Sequence, residues 1–410
     1  MPVMDSKIFD ELRTSAATDP TAALQRLIEC LLEQRQFHQA FDASLMAIRL
    51  RLGLPVIWTG KLDDVDDKLR TEIEEGYLDA CRMVGFRLLE ADQPGDAWYY
   101  LRHLTDRRET TSCFENYTPG DESREDYINV AVHEGVAPVA GFRQVLDHYG
   151  ICNAITLFDS AMSQQPREQR LAVAPLLIAD LHAQLQTNLR SEIQQQSGSP
   201  PAESMIADMI ADRDWLFGEH AYHVDTSHLS AVVRFAREVE AADVLRLALD
   251  LCRYGLRLDK QFQFASEEPF ADTYTAHAVW FEGLLSANSK SAAWQTARDY
   301  FRAKAENLSY EEHGAGPAEV YVAFLAKTGH PRDALTAIRQ FIPAGAATSG
   351  FAPAAAELAA ASGEYDLLAE IGAERNEIVT FATGVLAAAQ KESVHSNRGS
   401  GMRIDETDLL

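Results

Sequence analysis

Three imidazoles and two carboxylates fall within ten residues at Glu219-His220-Ala221-Tyr222-His223-Val224-Asp225-Thr226-Ser227-His228. Imidazole nitrogens and carboxylate oxygens are the common protein donors to divalent transition metals. If the segment is helical, His220 and His223 share a face. His220, His223, Asp225 and His228 are therefore the candidate metal ligands. A metal held there would suit a hydrolase-type reaction, with help from His133 and Glu134. The same residues have a structural use. Asp225, Thr226 or Ser227 can cap a helix over Leu229–Val239, whose apolar stripe is Leu229, Val232, Val233 and Ala236. The spacing matches no named metal signature, so capping is the favoured reading and no cofactor is expected.

A second group is His133, Glu134, Asp147, His148, Cys152 and Asn153. His133, Glu134, His148 and Asn153 are the candidate groove or proton-transfer residues, since an imidazole near neutral pH can give or take a proton. A hairpin turn at Gly150 with a small Cys beside it is the competing reading. Among the aromatic residues, Trp98, Tyr99, Trp215 and Tyr222 are candidates for partner recognition, because Trp and Tyr are common interface anchors. They also coincide with apolar stripes, where core packing is the simpler role.

No phosphate-binding G-x-x-x-x-G-K-[ST], no G-x-G-x-x-G, no H-E-x-x-H and no G-x-S-x-G occurs. Without these motifs the reading favours a protein that is not an enzyme.

The elements that would position these residues are helices. Apolar residues recur at a period of 3.6 along most of the chain, and β-type alternation is nearly absent. Leu24, Leu27, Ile28, Leu31 and Leu32 form one stripe; Phe37, Ala40, Phe41, Leu45, Ala47 and Ile48 form the next, after a polar break. Asp19 before Pro20 marks a helix start, with a capping carboxylate and proline in the first turn. Two antiparallel helices over Thr21–Leu52 follow. Arg107–Tyr127 reads as a long polar loop, and Pro343–Pro353 as an Ala/Gly-rich connection.

The 410 residues carry 62 acidic and 37 basic side chains, a net charge of −25. That sign argues against nucleic acid or an anionic membrane as the main partner, since both attract positive fields. No run approaches a membrane-spanning length, and the start lacks a basic-then-apolar leader. The five cysteines are scattered without a C-x-x-C pair, as expected for reduced thiols in the cytoplasm.

An internal repeat pattern organises the whole. Ala154, Phe158, Ala161 and Pro166 place small residues where two helices touch and a proline where the second ends. Weaker copies lie around Ala40, Ala97, Ala297, Ala334 and Leu368. The chain thereby resembles the tetratricopeptide-like helical superfamily over about Thr21 to Gln390. The resemblance implies an all-α fold, an irregular α-solenoid of antiparallel hairpins whose groove binds a peptide or protein.

The expected organisation is a helical-hairpin block at 1–189, a polar linker at 190–204, a helical-repeat block at 205–391 and a disordered acidic tail at 392–410. The expected function is a cytoplasmic interaction scaffold or adaptor. A metal-dependent hydrolase using the His220–His228 cluster and a small-molecule sensor are the alternatives.

Overall fold

The computed structural model describes residues 6–60, 65–286 and 290–399. Among them the secondary structure is helical, with no strand. The chain divides into two compact units, residues up to Val173 and residues from Ala174. The first unit contains α1 (Ser6–Thr18), α2 (Pro20–Glu33), α3 (Phe37–Arg51), α4 (Asp67–Glu90), α5 (Pro94–Leu101), α6 (Arg108–Asn116), α7 (Arg124–Ile128) and α8 (Pro138–Ala161). Helix α9 (Arg167–Ser197) begins in the first unit and continues in the second. The second adds α10 (Ile206–Ile210), α11 (Thr226–Phe235), α12 (Ala242–Arg257), α13 (Thr273–Ser286), α14 (Ala292–Asn307), α15 (Tyr310–His313) and α16 (Gly316–Lys327). It closes with α17 (Pro331–Phe341), α18 (Ala355–Ser362), α19 (Tyr365–Glu374) and α20 (Ile378–Gly399). No helix among the described residues is long and apolar enough to cross a membrane.

The helix starts follow local chemistry. Asp19 accepts from Ala22 N at 2.9 Å, ahead of Pro20 in the first turn of α2. Asp225 does the same for α11, accepting from Ser227 N and His228 N. Helices pack mainly on their neighbours in sequence, as in α2 with α3, α4 with α5, and α16 with α17. Ala40, Ala97, Ala154, Ala297 and Ala334 are all fully buried, because a methyl group allows two helix axes to approach closely.

In the first unit, the core gathers Phe37, Val84, Leu88, Trp98, Leu101, Phe114 and Tyr127. In the second, Trp280 packs against Phe301 at 5.3 Å and Phe270 at 6.0 Å between ring centres. Trp98 therefore belongs to the core and not to a recognition surface, with its ring edge-on to Phe114.

Several sequence expectations need adjusting. Arg107–Tyr127 is not one loop: it contains α6 and the start of α7, pinned by buried Thr110 and Phe114. Two buried positions in a charged stretch give too little periodicity to reveal a short helix. The expected linker 190–204 begins inside α9, which runs on to Ser197 because Leu189 and Ile193 are buried. Helix α20 extends to Gly399, so the first part of the expected tail, 392–399, is helical; its remainder, 400–410, lies outside the described residues.

Candidate functional site

Helix α7 passes directly into a π-helical turn at Asn129–His133. The widened turn shifts the side-chain register by about one residue, a device often found where side chains must be re-aimed. Val130, Ala131 and Val132 of this turn are all buried. Gly141 explains how α8 packs on it: a Cβ there would lie 2.6 Å from Val132 Cγ2 and 2.9 Å from Ala131 Cβ. Two glutamines hold the exit of the turn. Gln165 Nε2 donates to His133 O at 2.9 Å, and Gln169 Nε2 donates to Gly135 O at 3.0 Å.

Helix α8 is kinked at Gly150, whose φ of 78° is a left-handed conformation that favours glycine. Asn153 Nδ2 donates to Tyr149 O across the kink at 2.7 Å. Between the two elements lies an open groove of about 300 Å³. One wall is Glu125, Ile128, Asn129 and His133; the other is Val145, Tyr149, Asn153 and Leu157. The second wall is a row at a constant spacing of four, and in the first Ile128 and Asn129 lie three and four residues after Glu125 with His133 four further on, the ridge that a helix presents to a groove. Val145, Ile128 and Leu157 form the less exposed part. Glu125, Asn129, His133, Tyr149 and Asn153 are exposed at the rim.

The groove thus joins His133 and Asn153 from the sequence candidates. Glu134 and His148 are exposed but do not line it. Sequence reasoning missed Glu125, Ile128, Asn129, Val145, Tyr149 and Leu157. The four-residue spacing of Val145, Tyr149, Asn153 and Leu157 was the available signal. It was masked by Gly150, which reads as the end of a helix.

The metal candidates are dispersed among other tasks. Asp225 caps α11. His220 is exposed and His228 is half-buried in the first turn of that helix. His223 is nearly enclosed: Nδ1 lies 2.9 Å from Tyr254 Oη, and Nε2 lies 2.9 Å from Glu192 Oε2, without good hydrogen-bond alignment. Its backbone N also donates to Tyr254 Oη, and Asn188 Nδ2 donates to its carbonyl at 2.6 Å. Burial lowers the His223 pKa, against the opposing pull of Glu192. Burial likewise raises that of Tyr254. These contacts moor the loop before α11 to α9 and α12. Among the described residues, no three His, Cys, Asp or Glu side chains form a group able to hold a metal ion.

Of the recognition aromatics, Tyr99 and Trp215 are exposed, with Arg102 over the Tyr99 ring. Tyr222 is exposed on one side and meets Phe262 at 5.2 Å between ring centres. Compared with known protein families, curated proteins and solved structures, the chain gives no significant match.

Proposed function

We propose that the chain is a non-enzymatic interaction protein that holds a peptide segment of a partner in the groove between α7, the π-turn and α8. The observation that carries this reading is the pairing of two side-chain rows around an apolar floor with a hydrogen-bonding rim. Grooves between helices receive peptides through apolar anchors at regular spacing. Asn129, His133 and Asn153 supply donors and acceptors for the peptide main chain, and exposed Tyr149 supplies a rigid contact surface.

The groove's borders select the charge of the partner. Glu122, Glu125, Asp126, Glu134 and Asp147 are exposed on or beside the bordering elements and outnumber the exposed Arg143, while Asp121 and Arg124 pair with each other at 2.6 Å. A segment with an apolar anchor beside Lys or Arg is complementary to that rim. The stacking of consecutive helices and the buried alanines of the repeat pattern support a tetratricopeptide-like arrangement. The scattered thiols fit a cytoplasmic scaffold. The metal-hydrolase alternative has no ligand set among the described residues to support it.

The test is selection from a peptide library on the full chain, followed by fluorescence anisotropy. Tyr149→Ala and Asn153→Ala are expected to weaken the selected peptide by about tenfold or more, as hot-spot truncations do. Tyr99→Ala, away from the groove, leaves it unchanged. Failure to select any peptide, or indifference to both groove variants, overturns the reading.

A further inference from the structure

Helix α20 is apolar on both sides. Its inner side packs on α19 through two glycines. A Cβ on Gly384 would lie 2.5 Å from Ala369 N, and one on Gly372 would strike the Phe381 backbone. Lys391 fixes the far end by donating to Gly363 O at 3.1 Å. The opposite side faces solvent and carries Ile378, Val379, Val385 and Leu386, which are 74%, 76%, 45% and 64% exposed. Ala382 lies between them on the same stripe, since positions 378, 382 and 385 follow the four-three alternation of a helix–helix seam.

A contiguous apolar face left bare on a helix marks an interaction surface. It holds no charged side chain from 378 to 386, so charge selects neither an acidic nor a basic partner. Its order, however, is symmetric. Counted outward from Ala382, Val379 and Val385 are three residues away, and Ile378 and Leu386 are four away. Two antiparallel copies crossing at Ala382 would bring each Val379 to a Val385 and each Ile378 to a Leu386. The small alanine would sit on the two-fold axis. This is the self-complementarity that an isologous interface requires.

The four side chains expose roughly 500 Å² per copy, so complete mutual burial would remove roughly 1,000 Å² as a pair, the threshold of a specific interface and the size of a reversible one.

We propose that the chain forms a two-fold symmetric dimer through α20, with the helices antiparallel and Ala382 against its counterpart.

Light scattering and sedimentation equilibrium of the full chain are expected to give twice the chain mass in the micromolar range. Leu386→Glu and Val379→Glu each place a charge on the face at an already exposed position, so circular dichroism should show the fold retained. Each is expected to raise the dimer dissociation constant by at least about tenfold. The geometry has its own test, in a Cys152→Ser background that removes the exposed native thiol. Ala382→Cys should cross-link two copies under mild oxidation, whereas Ile378→Cys, opposite Leu386, should not. A monomer at every concentration, or a dimer insensitive to both charge variants, overturns the proposal. Equal cross-linking at 378 and 382 overturns the antiparallel crossing.

Discussion

Arg237 Nε donates to His277 Nε2 at 2.7 Å, and that contact fixes the protonation of a fully buried imidazole. A guanidinium only donates, so Nε2 must present its lone pair. The Nδ1 proton then goes to the Thr273 carbonyl one helical turn earlier. Both side chains lie against Phe270, with the ring centres of Phe270 and His277 4.4 Å apart and the guanidinium carbon 4.2 Å from the Phe270 ring. Protonating His277 would set two donors face to face and add a second buried cation. Burial first, and Arg237 second, hold its pKa well below the ordinary value.

The consequence is a stability that depends on pH. A histidine whose folded pKa is depressed binds its proton more readily when unfolded. Its contribution is complete above the unfolded value of about 6.5 and is lost as pH falls through the folded value. His223, lowered by burial, acts in the same direction. The urea midpoint is therefore expected to fall on acidification below about pH 6.5. His277→Gln, which keeps an acceptor for Arg237 and a donor for Thr273 O, should flatten part of that slope. An equal slope in both proteins would contradict the assignment.

Two glycines should respond in opposite ways to alanine. Gly384→Ala adds helix propensity of roughly 1 kcal/mol but forces a methyl into the backbone of α19, with Tyr365 O only 2.7 Å away. Overpacking of that kind costs about 1–3 kcal/mol, so net destabilisation is expected. Gly316, at the start of α16, has open space around it. Gly316→Ala should stabilise by about 0.4–1 kcal/mol through a less flexible unfolded chain. Denaturant titration of the two variants decides both signs.

Glu319 is a buried carboxylate whose task is to seat a loop. It accepts from Ser349 N, Ser349 Oγ and Gly350 N, each at 3.0–3.1 Å. Glu319→Ala orphans these donors and should cost about 2–4 kcal/mol. It should also make the connection between α17 and α18 the first site of limited proteolysis. A variant cut no faster there than the parent would show that the loop is held by other contacts.

The helical class was legible because apolar periodicity runs through nearly every element, and Asp19 and Asp225 announced their helices by capping chemistry. Short helices with one or two buried side chains, such as α6, were not legible. The groove was half legible. His133 and Asn153 stood out as chemical types, but the π-turn that aims Asn129 and His133 depends on tertiary packing at Gly141, which no local pattern records. Asp250 shows the same limit: its carboxylate meets His182 Nε2 at 2.9 Å, Ile206 N at 2.8 Å and Ala207 N at 2.7 Å, all more than forty residues away in sequence. Proximity in sequence groups His220, His223, Asp225 and His228 as candidate ligands beside the favoured capping reading; Asp225 does cap α11, and His223 is held by Tyr254 and Glu192.

In the proposed complex a partner segment lies along the π-turn and the kinked helix. Backbone hydrogen exchange of the full chain, with and without a library-selected peptide, tests it most directly. Slower exchange is expected at Asn129–His133 and at Tyr149–Leu157, with little change from Trp215 to Tyr222. Protection confined to that second segment, or none at the groove under saturating peptide, would contradict it.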